Sequence, residues 1–175
     1  MACRLALEMP ERLAAFSAVL ASMPDRGRIP MPAMPLSALF IGCTRDRLVP
    51  YHGGRHFYMP LGPVNGIEDS VAMWREHAGL PDTPRVRAIP CTDPAGRTRA
   101  TRTLWGDAPD RVQVGLYRIE GAGHAEPSRR KRYPELINRL VGRQNTDFEV
   151  AEAAWDFFKD KRASKVHQAE ARQPG

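Results

Sequence analysis

The sequence predicts an α/β fold, in which a mostly parallel sheet has helices on its faces. Two apolar runs of strand length, residues 36–41 and 112–120, each end in a loop of small and polar residues, as buried parallel strands do. Between them, residues 64–79 have apolar side chains at spacings of three and four, which is typical of a helix with one buried face. Strands that alternate with helices in this way favour a parallel sheet.

Residues 1–35 add a helix and a strand before the first of these runs. Residues 1–9 have the pattern of a short, mostly buried helix that Pro10 ends. Residues 13–21 are apolar nearly throughout, which predicts a buried parallel strand. Four prolines within residues 23–35 then predict an irregular loop.

The helix over residues 64–79 crosses from the first strand run to a pair of shorter strands. We expect Asn65 or Asp69 to cap its start and Gly79 to end it. The shorter strands, at residues 85–90 and 100–105, are separated by a turn sequence. They predict a hairpin that extends the sheet.

Two helices are predicted in the C-terminal part of the chain. Residues 133–141 suggest a short helix, and residues 148–161 form the most clearly amphipathic helix of the sequence. Thr146 or Asp147 is the expected N-cap of this last helix. Residues 163–175 are polar, and we expect this tail to be disordered.

The formal net charge of +6 does not by itself point to a nucleic-acid partner. Basic residues concentrate at 129–132 and after Lys159, but no aromatic residues are interleaved there to stack on bases. We therefore expect these runs to be solvated surface. The sequence has no apolar run of about 18 residues, so it predicts no membrane span. Glu8 and Pro10 interrupt the first apolar segment too early for a signal peptide.

Neither the cysteines nor the histidines have the spacing of a metal site. Cys3, Cys43 and Cys91 are odd in number and include no CxxC pair. We expect free or buried thiols, with a disulfide to a cysteine outside this chain as the alternative. His52 and His56 are four residues apart, but glycines between them oppose the helix that would align them. The sequence thus predicts no metal and no cofactor.

Two polar side chains follow the two principal strand runs. Asp46 comes directly after the first run, and His124 follows the second behind Gly121 and Gly123. The carboxyl ends of parallel strands form the edge of the sheet where ligands bind. An acid followed later in the chain by a histidine matches the order of the Ser, Asp and His of a hydrolase triad. The alternatives are a loop aspartate that stabilises its own turn and an ordinary surface histidine.

Four segments of the chain resemble α/β-hydrolases of the polyhydroxybutyrate depolymerase and feruloyl esterase type. They are MACRLALEMPERLAAFSAV at the start, TRDRLVPYHGG around Asp46, YRIEGAGHAEP around His124, and TDFEVAEAAWDFFK near the end. The resemblance implies that residues 1–162 are the C-terminal portion of a serine ester hydrolase domain. It also implies that Asp46 is the triad acid and His124 the triad base, and that the complete protein cleaves a carboxylic ester outside the cytoplasm, in the periplasm or beyond.

The resemblance also implies that the nucleophile lies outside this chain. The family has a G-x-S-x-G elbow, which we expect a few residues before Met1 together with the N-terminal strands of the fold. None of the six serines of the chain is framed by glycines in this pattern. Cys43, in the turn beside Asp46, is not where the elbow places an attacking atom. We therefore expect this chain to be inactive alone.

A partner follows from either interpretation. As a hydrolase fragment, the chain would bind the missing N-terminal half or self-associate through the sheet edge left open. The alternative is a non-catalytic α/β domain that binds another partner through that open edge.

Overall fold

A computed structural model describes residues 1–24, 30–56 and 62–163. The expected polar tail therefore lies outside the described residues from position 164 onward, as does part of the predicted proline-rich loop. Within the described part of the chain, none of the helices combines the length and the apolar character needed to cross a bilayer.

The chain begins with a short helix, α1 (Ala2–Glu8), followed by one 3-10 turn (Pro10–Arg12) and an edge strand, β1 (Ala15–Val19). Pro10 starts the 3-10 turn because its ring fixes φ and it has no N–H to donate to the preceding helix. Cys3, Ala6 and Leu7 of α1 are buried against the sheet. The predicted first helix and first strand are thus both present.

Within the described residues, five strands form one mixed sheet in the order β1-β2-β5-β4-β3. Its other strands are β2 (Ser37–Cys43), β3 (Arg85–Ala88), β4 (Arg99–Trp105) and β5 (Val114–Glu120). β2 pairs in parallel with both β1 and β5, whereas β4 pairs antiparallel with both β5 and β3. The expectation of a mostly parallel sheet is corrected in this respect, because the predicted hairpin supplies as many antiparallel pairings as there are parallel ones.

Helices cover both faces of the sheet, so the chain has an α/β fold. α1 and α2 (Ile67–His77) pack on one face, and α4 (Val150–Phe158) packs on the other. β2 is buried along its whole length: Ala38 and Phe40 face α1 and α2, while Leu39 and Ile41 face α4. This two-sided burial explains why the strand is a continuous apolar run instead of an alternating one.

Trp74 on α2 is the largest side chain of the core and is fully buried. Its ring centroid lies 4.8 Å from that of Phe16 on β1, and its Nε1–H points to Met23 Sδ at 3.4 Å. Gly79 follows the helix with φ +64°, as a glycine after a helix C-cap does. The predicted helix and its C-terminal signal are confirmed.

The predicted N-caps of both long helices are wrong. Gly66 is the N-cap of α2 and Glu149 that of α4, and neither caps its helix through a side chain. Asn65 instead donates to Pro24 O at 3.0 Å, and the Asp147 carboxylate accepts from Thr92 and Asn145. The local sequence pattern assigns these polar side chains to helix capping, but in the fold they form hydrogen bonds with other groups.

The short helix predicted over 133–141 is α3 (Glu135–Val141), and it buries none of its residues. At its C-terminal end Val141 O accepts from His124 N–H, and Gly142 follows with φ +97°.

Candidate functional site

Asp46 is held in a tight loop at the carboxyl end of β2. Its N–H donates to Cys43 O at 3.2 Å, and Arg45 N–H donates to Ala122 O at 2.9 Å. One carboxylate oxygen, Oδ1, accepts from the amides of Leu48 and Val49, both at 2.8 Å. The side chain is only 2% exposed. The loop therefore fixes the carboxylate in place through one oxygen and leaves the other free for a different partner.

His124 lies in the loop after β5, the strand that pairs in parallel with β2. Gly121 begins this loop with φ +75°, a conformation that costs glycine little. The loop is then fastened by His124 N–H, which donates to Val141 O at 2.6 Å, and by Gly123 N–H, which donates to Arg143 O at 2.9 Å. Because β2 and β5 run in the same direction, both loops leave the sheet at the carboxyl ends of its parallel strands.

The structure brings Asp46 and His124 together. His124 Nδ1 lies 2.8 Å from the second oxygen of Asp46, Oδ2. An ionised carboxylate only accepts hydrogen bonds, so the contact is satisfied when Nδ1 carries the proton. Nε2 is then the unprotonated nitrogen, and no described residue forms a hydrogen bond with it. The His124 side chain is 29% exposed, so the imidazole borders solvent while its carboxylate partner does not.

This arrangement can move a proton at Nε2. A fixed tautomer, a buried anion behind the ring and an exposed opposite nitrogen are what a general base needs. The loop-aspartate alternative is also partly realised, since Asp46 Oδ1 stabilises its own turn. The two roles use different oxygens, so one does not exclude the other.

Sequence reasoning missed Gly142 as part of the site. A Cβ built on Gly142 would lie 2.6 Å from Gly123 Cα, which is closer than nonbonded atoms approach. The backbone at Gly142 therefore passes directly against the histidine loop. A single glycine after a short helix is an ordinary end signal, and nothing local in the sequence indicates this long-range contact.

Sequence reasoning also missed a buried polar network behind the histidine loop. Asp147 is fully buried; its Oδ1 accepts from Thr92 N–H at 2.7 Å and its Oδ2 accepts from Asn145 Nδ2 at 2.8 Å. Asn145 O accepts from Ser128 N–H at 3.1 Å. These bonds join the segment after His124 to the hairpin between β3 and β4.

Cys43 is unsuited to act as a nucleophile. The residue is 1% exposed, and burial, followed by the negative charge of Asp46, raises the pKa of its thiol far above the ordinary value. A thiolate is therefore disfavoured at this position.

Four of the five serines that the structure describes form side-chain hydrogen bonds elsewhere; the fifth, Ser17, lies on β1. Ser37 Oγ accepts from Gln113 N–H, Ser70 Oγ donates to Gly66 O, and Ser128 Oγ donates to Glu149. No described serine forms a hydrogen bond with His124.

The two closely spaced histidines, His52 and His56, have different neighbours. His56 Nδ1 lies 2.8 Å from Leu48 O, and the His52 ring packs edge-on to Tyr51 with centroids 5.2 Å apart. Among the described ranges, no three His, Cys, Asp or Glu side chains are grouped closely enough to hold a metal ion.

A cavity of about 840 Å³ lies away from this site. It lies at the amino ends of the parallel strands, where Leu36 precedes β2 and Val112 precedes β5. It borders Leu13, Leu80 and the aliphatic part of Lys161 and contains neither Asp46 nor His124.

No protein-family model matches the sequence. No curated protein matches it either.

Proposed function

We propose that this chain supplies the acid and the base of a serine ester hydrolase, of the polyhydroxybutyrate depolymerase and feruloyl esterase type that its sequence resembles. The observation that carries the proposal is the 2.8 Å contact between His124 Nδ1 and Asp46 Oδ2, with both residues directly after neighbouring parallel strands. The partial α/β-hydrolase fold is part of the proposal. It is supported by the chain order of the two residues and by the strand order β1-β2-β5.

Each residue has a definite task in this reaction. His124 Nε2 takes the proton of a serine hydroxyl as its oxygen bonds to the ester carbonyl carbon. When the carbon to alkoxide bond breaks, the imidazolium returns that proton to the leaving alkoxide. Water then releases the acid by the same steps. Asp46 holds the ring in the required tautomer and stabilises the imidazolium.

The serine would come from a segment that docks on the free edge of β1. In the described part of the chain, β1 has a pairing partner on only one side. Beside this edge, α1 and β1 border a groove of about 650 Å³ that includes Ser17 and Val19. A further parallel strand would fit beside β1. The turn after that strand would then lie at the carboxyl ends of the parallel strands, as His124 does.

The test begins with the coding DNA upstream of the Met1 codon. We expect an in-frame G-x-S-x-G motif preceded by a strand pattern. The extended protein should hydrolyse p-nitrophenyl butyrate, whereas the 175-residue chain should give neither turnover nor labelling by a fluorophosphonate. In the extended protein, His124→Ala should lower turnover by roughly a thousandfold or more, and His52→Ala, at an exposed histidine, is the matched control. Turnover that survives His124→Ala would refute the proposal.

A non-catalytic binding domain is the second candidate, and the free edge of β1 favours it. If no elbow motif precedes Met1 in frame, the edge would serve a partner that adds a strand. Ser17→Lys would then abolish partner binding by placing a charge in the groove, whereas Ser17→Thr would preserve it. His124→Ala would have no effect on such binding, which separates this candidate from the first.

A further inference from the structure

One surface segment, residues 129–143, holds most of the excess positive charge of the chain. It has six basic side chains and one acidic side chain, a surplus of five, while the surplus of the whole chain is six. The segment comprises α3 and the loop that leads into it. Such a concentration sets this surface apart from the rest of the protein.

Part of this charge is not neutralised by neighbouring acids. Arg130 pairs with Glu152 at 2.7 Å, and Arg139 lies 3.7 Å from Glu135. The other four cations of the segment form no ion pair with a described residue: Arg129, whose guanidinium donates to the backbone oxygen of Asp147, and Lys131, Arg132 and Arg143.

The same segment exposes large apolar side chains. Leu136 is 70% exposed and Leu140 is 67% exposed. They are four residues apart on α3 and therefore lie on one face of the helix. Ile137 beside them is 38% exposed. Together these side chains form an aliphatic ridge that nothing in the described protein covers.

A polar cavity of about 350 Å³ is bordered by Glu135 and Asn138 of α3 and not by the ridge side chains. Arg132 and Arg143 border it as well, and so do Asp93 and Arg97, which pair with each other at 2.9 Å. Unpaired guanidinium groups bind phosphate through two parallel hydrogen bonds. The cavity is large enough for one phosphate group.

We propose that residues 129–143 dock on the surface of an anionic lipid bilayer. Leu136 and Leu140 would enter the acyl region, while Arg132 and Arg143 hold headgroup phosphates. Apolar side chains on one face and basic side chains beside them are the combination that binds peripheral segments to such membranes. The inference does not depend on the chemistry of Asp46 and His124.

The ridge fits a bilayer better than it fits a nucleic acid or a protein. Aliphatic side chains gain little from a nucleic acid, where affinity comes from phosphate contacts and aromatic stacking. A stable protein interface usually buries about 800 Å² on each partner, and a convex ridge of three side chains on a two-turn helix offers much less. A lipid surface needs no complementary groove.

The test is flotation of the full chain with vesicles. We expect binding to phosphatidylcholine mixed with phosphatidylglycerol, weaker binding at high salt, and none to phosphatidylcholine alone. Two double variants, Leu136→Ser with Leu140→Ser and Arg132→Gln with Arg143→Gln, should each weaken binding by roughly tenfold or more. The matched control, Val86→Ser with Arg87→Gln, removes one exposed apolar and one basic side chain from β3 and should bind as the unaltered chain does.

A second measurement needs no variant. Nitroxide-labelled lipid in the mixed vesicles should broaden the methyl signals of Leu136 and Leu140 but not those of Val86. Absence of binding to the mixed vesicles would overturn the proposal, as would equal losses in the control variant or unbroadened leucine signals in bound protein. The proposal would also be overturned if the protein bound a DNA duplex as tightly as it binds the vesicles and the leucine substitutions did not weaken DNA binding.

Discussion

Gly123 lies against Gly142 so closely that a Cβ on either residue would overlap backbone of the other. The contact is flanked by the hydrogen bonds from His124 N–H to Val141 O and from Gly123 N–H to Arg143 O. Two irregular backbone segments can form these hydrogen bonds with each other only if no side chain separates them. The position of the His124 ring therefore depends on the end of α3, some 18 residues further along the chain.

Gly142→Ala should destabilise the protein more than a glycine substitution normally does. The residue has φ +97°, and its Cβ would lie 2.6 Å from Gly123 Cα. We expect the free energy of unfolding in urea to fall by roughly 2–3 kcal/mol, for backbone strain and steric overlap together. Gly79→Ala is the control, because Gly79 has φ +64° but open space around its Cα, and it should cost only about 1 kcal/mol. Equal losses in the two variants would show that the close approach does not matter.

Asp46→Asn should change which nitrogen of His124 carries the proton. An asparagine can still accept from Leu48 and Val49 through its oxygen, but its NH₂ group would then face Nδ1 and donate to it. In the neutral ring the proton would move to Nε2. Nitrogen chemical shifts of the imidazole, measured by NMR in mildly alkaline buffer, should show this exchange of tautomer.

The control for this substitution is Asp156→Asn, which alters a carboxylate that is 65% exposed. It should leave the His124 nitrogen shifts unchanged. If Asp46→Asn also left them unchanged, Asp46 would not set the tautomer, and the proposed role as orienting acid would fail.

The sequence predicted those parts of the fold that depend on local burial. β2 and α2 are recognisable because a strand buried on both faces is a continuous apolar run, and a helix buried on one face repeats every three to four residues. The proximity of Asp46 and His124 follows from the same level of reasoning, since parallel strands end at one edge. That they act as acid and base remains a prediction.

The sequence could not predict contacts made by polar groups across long separations. Thr146 and Asp147 are residue types that commonly cap helices. The Asp147 carboxylate instead accepts a hydrogen bond from the N–H of Thr92, 55 residues away. α3 repeats apolar residues as a buried helix would, and yet Leu136 and Leu140 face solvent. In both cases the local sequence pattern is the same whether or not a distant segment of the chain packs against these residues.

Asp147→Asn should loosen the segment that follows the histidine loop. The carboxylate accepts from Thr92 N–H and Asn145 Nδ2 while fully buried. An amide in its place must turn an NH₂ group toward at least one of these donors. We expect a loss of roughly 1–3 kcal/mol in the free energy of unfolding. Hydrogen exchange of the Thr92 and Ser128 amides should accelerate as well.

Asp107→Asn, at an exposed carboxylate, is the matched control for Asp147→Asn. It should change stability by less than about 0.5 kcal/mol. Unaltered exchange at Thr92 in Asp147→Asn would contradict a structural role for the buried carboxylate.

Lys161 should make stability depend on pH in alkaline solution. Its Nζ donates to Pro109 O at 2.6 Å, to Arg111 O at 3.0 Å and to Gln113 Oε1 at 2.8 Å. Burial lowers the pKa of Lys161 from 10.5 to about 8, although the charges of Asp110 and Asp160 oppose the shift. Unfolding returns the pKa to its ordinary value. Between about pH 8 and 10.5 the unfolded chain therefore binds more protons than the folded protein, and this group adds stability as the pH rises.

Lys161→Met removes this contribution and leaves three acceptors without a donor. Urea unfolding across this pH window should therefore show the unaltered chain gaining stability relative to Lys161→Met as the pH rises. Burial raises the pKa of the Cys3 thiol to about 11, which acts in the opposite direction above pH 9, but both proteins share this effect and it cancels in the difference. Lys159→Met, at a lysine 46% exposed, should show no such trend. A constant difference between the unaltered chain and Lys161→Met would mean that Lys161 keeps its ordinary pKa, with its three hydrogen bonds fully offsetting the cost of burying the charge.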